Sequence, residues 1–233
     1  MGTGAASARR DKHLPEIASL LDAKQFDLIT RPNAGVVVIQ GSAGSGKTTV
    51  GLHRIAYLHF HAPNQFRPDR TLVLAFSRAL AAYIQQVLPA LGVEGVQVRE
   101  YERWAGGLRR RHFRDLPEAY NDVTPAVVTR FKLHTVMLKL LEDVGPKRRG
   151  EDPLTVFEET LTDRGLLQDA VARWAPDSFT ESEVHKIHRW CSDQHFIRFD
   201  GGGPNDHDVP TMDREDDTLL LRVHQLVRGP LVV

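Results

Sequence analysis

A chain of 233 residues, 41% hydrophobic and 26% charged, has the composition of an ordinary globular protein, with room for one large domain or a domain carrying a sizeable insertion. Thirty Lys and Arg balance thirty Asp and Glu, so a polyanion would be met by local patches rather than by a net field. A single cysteine, Cys191, excludes an internal disulfide framework and fits a reducing compartment. MGTGAASARR lacks the apolar core of a signal peptide, and no run reaches the ~18 apolar residues of a membrane span, so the expected setting is cytoplasmic with no membrane partner.

In chain order, LPEIASLLDAKQFDLIT (14–30) sets Leu14, Ile17, Leu20, Leu21, Leu28 and Ile29 at helical spacing, closed by Pro32 and Gly35. GVVVIQ (35–40) is an unbroken β-branched run and reads as a strand buried on both faces of a parallel sheet. A glycine loop follows, and TTVGLHRIAYLHFH (48–61) continues as a helix until Pro63. TLVLAF (71–76) is a second buried strand, SRALAAYIQQVLPAL (77–91) a helix, and VQVRE (96–100) a third, alternating strand. Strands alternating with helices specify a parallel sheet with right-handed crossovers.

Beyond residue 105 the pattern turns helical: PAVVTRFKLHTVMLKLLEDVG (125–145), PLTVFEETLTDRGLLQDAVARWA (153–175) and TESEVHKIHRWCSDQHF (180–196) are helical by period. Polar turns separate them, no repeat occurs, and no strand is expected before LVV (231–233). EDDTLLLRVHQLVRG is one more helix with acids in its first turn, where the helix dipole favours them. The chain thus divides into an α/β core over 1–105, a helical subdomain or insertion over 106–227, and the start of a returning core strand over 228–233.

Gly41-Ser42-Ala43-Gly44-Ser45-Gly46-Lys47-Thr48 fits G-x-x-x-x-G-K-[ST] at every fixed position. Glycines let the backbone curl so that successive N–H groups converge on phosphate oxygens. Lys47 brings charge to the β and γ oxygens, the Thr48 hydroxyl completes a magnesium shell, and the helix beginning there points its positive end at the same group. The loop names a ligand class rather than a function. Gln25, sixteen residues before Gly41, is either an amide that bonds an adenine edge or a solvated helical side chain.

KQFDLI, VIQGSAGSGKTTVGLHRIAYL, LVLAFSRALAAYI and VQVREYERWA, in that order, resemble the opening motifs of UvrD/Rep-type superfamily 1 DNA helicases. The wording of GSAGSGKTT…LHRIAYL and VREYERWA is most similar to the HelD-type branch, helicase-like ATPases associated with bacterial RNA polymerase. The resemblance covers roughly residues 20–105 and is faint beyond. It implies a P-loop NTPase with a RecA-like parallel sheet flanked by helices on both faces, an inserted helical subdomain, ATP and Mg2+. It assigns Gln25 to the adenine, Lys47 to the phosphates, Thr48 to magnesium, Thr49 and the loop amides to phosphate oxygens, and has Arg54 face the nucleotide from about a turn and a half further along the helix. Lys47 and Thr48 would be the catalytic pair. Phe76, Ser77 and Arg78 would present a stacking ring and polar groups to single-stranded or partly duplex DNA, although Arg78 stands where the family often has Asn. Tyr101, with Glu102 and Trp104, falls in the next DNA-facing motif; the alternative for Phe76 and Trp104 is core packing. RNA polymerase is the further partner implied by the HelD-type wording.

Such helicases need a second acidic motif, a strand ending in Asp-Glu. HFIRFDG (195–201) carries an arginine mid-run, and LVRGPLVV ends the sequence, which reads as an N-terminal fragment with little turnover of its own. Arg109, Arg110 and Arg111, with His112-Phe113-Arg114, form the densest basic cluster and are candidate phosphate contacts beside the DNA track or a solvated face, whereas Lys147-Arg148-Arg149 is a polar turn. His185, His188, Cys191 and His195 share one broad helical face, either a zinc site or an ordinary half-buried helix. Asp200-Gly201-Gly202-Gly203 fits the loose D-x-x-G of a GTPase, but no N-K-x-D accompanies it.

Overall fold

The computed structural model describes residues 22–32, 35–193 and 211–231, which fall into two compact units, one ending at Tyr101 and the other beginning at Glu102. In the first unit, α1 (Ala23–Thr30) starts at a capping box: the Asp22 carboxylate accepts from the Lys24 N–H at 2.9 Å, and the Gln25 side-chain oxygen accepts from the Asp22 N–H at 3.2 Å. Asp22 is extended (φ −60°, ψ 147°), so the continuous helix expected over 14–30 does not pass through it. Its side chain satisfies the amides that an earlier turn would otherwise bond. Residues 14–21 lie outside the described residues.

After the glycine loop come α2 (Lys47–His61), β1 (Leu72–Ala75), α3 (Arg78–Ala90) and β2 (Gln97–Glu100). The strands pair in parallel, from Leu72 opposite Gln97 to Ala75 opposite Glu100. Ser77 caps α3 by accepting from the Leu80 N–H at 3.2 Å. Leu52, Ala75, Ala81, Ile84, Leu88 and Val98 form the core shared by these elements.

Two strand expectations are corrected. Residues 35–40 form no strand: Val36 and Val38 are 89% and 75% exposed, and the two-stranded sheet is β1 and β2 alone. β-branched residues favour an extended backbone, but a strand exists only where a neighbour takes up its hydrogen bonds, and none of the described segments does. β1 is buried on one face rather than two: Val73 and Ala75 turn into the core, while Leu72 and Leu74 are each 37% exposed.

The second unit holds α4 (Tyr101–His112), β3 (Ala119–Tyr120), α5 (Ala126–Leu133), α6 (Thr135–Val144), α7 (Pro153–Thr162), α8 (Arg164–Trp174), α9 (Glu181–Asp193), β4 (Thr211–Met212) and α10 (Asp216–Arg228). Phe131, Met137, Phe157, Leu161, Ile187 and Leu220 are at the centre of its apolar core. Two of the three long helical patterns, 125–145 and 153–175, are cut by a side chain that caps the next helix. His134 Nδ1 accepts from the Val136 N–H at 3.1 Å, and the Asp163 carboxylate accepts from the Leu166 N–H at 3.0 Å. β3 and β4 pair in parallel, Ala119 with Thr211 and Tyr120 with Met212, where no strand was expected. Residues 232–233 of the anticipated returning strand, and the segments around Asp200 and His195, lie outside the described residues.

The acids opening α10 do more than complement its dipole. Lys132 Nζ, fully buried, lies 2.6 Å from Asp213 Oδ2 and 2.7 Å from Asp216 Oδ1. Asp213 also accepts from Asn121 (3.0 Å), Thr124 (2.6 Å) and the Trp190 indole (2.9 Å). Asp217 accepts from Arg109 Nε at 2.9 Å and from the Tyr120 hydroxyl at 2.5 Å. Side chains of α4, α5, α9 and the β3 segment thereby hold the start of α10 through a buried polar network.

Candidate functional site

The loop between Gly41 and Lys47 is built from glycine conformations that other residues rarely adopt. Gly44 (φ +77°) and Gly46 (φ +78°) are left-handed, and Gly46 is the N-cap of α2. At Gly41 a Cβ would meet Ser45 Oγ at 2.4 Å, so a side chain there would displace the Ser45 hydroxyl from the loop's inner face. Lys47 Nζ donates to the carbonyls of Gly41 (3.0 Å) and Ser42 (2.7 Å), which holds the ammonium within the arc of the loop. Thr48 and Thr49 are exposed in the first turn of α2, whose N-terminal amides have no carbonyl of an earlier turn to bond. Helix end, ammonium and hydroxyls together make an anion cradle with an oxygen ligand for a divalent cation, and these residues fit a nucleoside triphosphate with Mg2+.

Gln25 stands on this loop. Its Nε2 donates to the Ser45 carbonyl at 3.2 Å, and a Cβ on Gly46 would lie 3.1 Å from the same nitrogen. The solvated-glutamine alternative gives way to a direct loop contact across 20 residues of sequence. Arg54, which the resemblance turns toward the nucleotide, is engaged through one nitrogen at the end of α1. It is 9% exposed, and its Nη1 donates to the carbonyls of Leu28 (2.9 Å), Ile29 (3.2 Å) and Arg31 (2.8 Å), the unsatisfied acceptors at the C-terminal end of α1. Its guanidinium is committed to a helix end.

At the exit of β1, Phe76 is 85% exposed, with its ring centroid 5.5 Å from that of Tyr101. Ser77 is occupied as the α3 cap. The Arg78 side chain is 90% exposed and lies 3.3 Å from Glu100. These residues make an aromatic and cationic surface at the end of the sheet. Trp104 packs, partly buried, against Ala105, Leu108 and Leu221, on the packing side of its two readings.

The basic cluster is corrected at one position. Arg109 is fully buried in its pair with Asp217, with Nη2 on the Pro117 carbonyl at 2.9 Å, and it contacts no solvent-borne phosphate; Arg110 and Arg111 remain exposed. Helical period separates them, since α4 turns one arginine in three toward the α10 aspartate. On α9, His188 Nε2 bonds the Thr162 carbonyl at 2.9 Å and Cys191 is buried, so the histidine–cysteine face is split between a backbone contact and the core. Among the described residues no three His, Cys, Asp or Glu side chains converge on a metal position.

The polar network shifts its own protonation. Burial pushes Asp216 up to about 6; Lys132 opposes that rise and the nearby Asp213 carboxylate adds to it. Burial alone would raise Asp213 and lower Lys132, but their pairing outweighs it and moves each in the opposite direction. The Cys191 thiol is driven by burial to about 12, which makes it chemically inert. Among the contacts that escaped sequence reasoning are Gln25 on Ser45 and Lys132 between two aspartates. The second carries a signal in retrospect, a lysine beside Phe131 on the packed face of a helix.

No curated protein matches the chain. A family model described as the UvrD/REP helicase N-terminal domain matches residues 21–196, which takes in the glycine loop and most of the helical unit. The chain therefore belongs to the UvrD/REP helicase N-terminal domain family, with its P-loop NTPase fold and helicase-type, ATP-dependent function.

Proposed function

We propose that the chain is the ATP-binding part of a DNA helicase or translocase that couples ATP hydrolysis to movement along single-stranded DNA. The observation that carries this reading is the loop: two left-handed glycines, an ammonium held in its arc and an amide braced on its Ser45 carbonyl. Lys47 would neutralise the β and γ oxygens, Thr48 would ligate Mg2+, and the α2 amides would hold the remaining phosphate oxygens. Magnesium would supply charge neutralisation of the transferring phosphoryl group; the chain's own part would be to hold the phosphate oxygens with the loop amides, Lys47 and the first turn of α2. Exposed Phe76, with Arg78 beside it, supports a track on which a base stacks and a phosphate pairs. Residues 106–227 would be a helical subdomain inserted into the core.

The test is ATP affinity by calorimetry and DNA-stimulated phosphate release, on the wild type and on Lys47→Ala. Binding lost at least tenfold in the variant is expected; equal affinity in the two proteins overturns the reading. The VREYERWA wording favours a second reading, a nucleotide-switched module docking on RNA polymerase, and polymerase capture in the absence of DNA would select it.

A further inference from the structure

The first turn of α1 is tied to the glycine loop and its last turn to α2, the helix that begins at the loop lysine. At the first turn, Gln25 Nε2 bonds the Ser45 carbonyl, and its Oε1 is taken by the Asp22 N–H. At the last turn, Arg54 gathers the Leu28, Ile29 and Arg31 carbonyls on one nitrogen, at 2.9, 3.2 and 2.8 Å. Arg54 sits seven residues, two turns, after Lys47 on α2. The contacts close a ring: loop to α2, α2 through Arg54 to the end of α1, α1 through Gln25 back to the loop. α1 has only two turns, so its isolated stability is slight and its placement depends on these ties.

We propose that Arg54 is a positioning residue for the nucleotide site: by gripping the C-terminal carbonyls of α1 it seats Gln25 against Ser45, and that contact holds the loop in its phosphate-receiving shape. The proposal rests on the reading of the loop as a triphosphate site. It differs from a direct contact of Arg54 with the nucleotide, because a nitrogen engaged by three carbonyls acts through the loop, and the loop meets the triphosphate that all nucleotides share. It also gives Gln25 a task that does not require the base, since one amide hydrogen and one lone pair of its oxygen are engaged by the protein.

The experiment uses the whole chain as wild type, Arg54→Ala, Arg54→Lys, Gln25→Ala and the Arg54→Ala/Gln25→Ala double variant. Amide hydrogen exchange is read first without nucleotide. Arg54→Ala is expected to speed exchange at residues 26–31 and at loop residues 41–47, and Gln25→Ala at the loop alone. Arg54→Lys, which keeps donors for the carbonyls, should restore much of the protection. ATP and GTP affinities are then expected to fall together in each single variant, by up to an order of magnitude, with the ATP-to-GTP ratio unchanged. The double variant should bind no more weakly than the weaker single, because both act on one contact. Additive losses, a changed ATP-to-GTP ratio, or wild-type exchange at 41–47 in Arg54→Ala would each overturn the proposal. A wild type that binds neither nucleotide would instead remove the nucleotide reading, while exchange at 41–47 still decides whether Arg54 shapes the loop.

Discussion

Arg109 and Asp217 meet at 2.9 Å with side chains 0% and 5% exposed, joining residues 108 apart in sequence. A buried pair of this kind contributes little when compared with an apolar pair, yet removing one partner strands a charge where water cannot reach it. Among the described residues, the Tyr120 hydroxyl is the side-chain donor that Asp217 keeps if the guanidinium is lost. Arg109→Ala is expected to lower unfolding stability by about 3–5 kcal/mol in denaturant titration. Arg110→Ala and Arg111→Ala, on the exposed side of α4, should stay within about 0.5 kcal/mol of wild type. Equal losses at the three positions would contradict the division of the cluster.

Asp216 lends stability that depends on pH in a definite direction. Its ordinary value is 3.8 and burial raises it to about 6, so in the folded chain it keeps a proton that the unfolded chain has released. The stabilisation from that proton is complete below 3.8 and is lost as pH rises through about 6. Asp216→Asn mimics the protonated carboxyl at every pH. The melting temperature of the variant relative to wild type is expected to climb between pH 4 and pH 7, following a free-energy difference of about 3 kcal/mol over that window. Asp213, lowered by its lysine and hydrogen-bond donors, contributes in the opposite sense: its stabilisation is present above 3.8 and fades as pH falls. A flat difference for Asp216→Asn would place that carboxyl in contact with water.

The contrast between the loop and the arginine cluster shows what the sequence makes legible. The loop's chemistry is local: each fixed residue from Gly41 to Thr48 has its reason within the same eight residues or the following helix turn, so spacing alone points to the cradle. Arg109 differs from Arg110 only through an aspartate more than a hundred residues away, and no local pattern carries that. The same holds for the valines at 36–38, whose composition favours an extended chain but cannot supply a neighbouring strand. The breaks at His134 and Asp163 were hidden for another reason, since neither is a glycine or proline and each ends a helix through its side chain's bond to the next.

Gly44 and Gly46 share a left-handed backbone but differ in their surroundings. A Cβ at Gly44 meets nothing within 4 Å, whereas one at Gly46 lies 3.1 Å from Gln25 Nε2. Gly44→Ala thus carries only the conformational cost, about 1–2 kcal/mol, while Gly46→Ala adds displacement of Gln25 from the loop. ATP affinity by calorimetry should fall further for Gly46→Ala than for Gly44→Ala. Adding Gln25→Ala to Gly46→Ala should remove the steric share of the loss without restoring wild-type binding. Equal affinities of the two glycine variants would mean that Gln25 exerts no hold on the loop.

Phe76 tests the track most directly, because its ring is 85% exposed and its loss leaves the core intact. Base stacking on an aromatic ring amounts to about 1–3 kcal/mol, so Phe76→Ala is expected to weaken binding of a fluorescent single-stranded oligonucleotide by roughly 5- to 150-fold, with an unchanged melting temperature. Arg78 acts through charge, and its variant should read out differently. Arg78→Gln is expected to lower the slope of log affinity against log salt by about 0.7, the share of one phosphate contact on a single strand, with a smaller loss at fixed salt. Tyr101, 5.5 Å from Phe76, bounds the same surface, so a Phe76→Trp variant that keeps the platform should retain binding. Oligonucleotide affinity that ignores Phe76→Ala would assign the exposed ring to contact with protein rather than with bases.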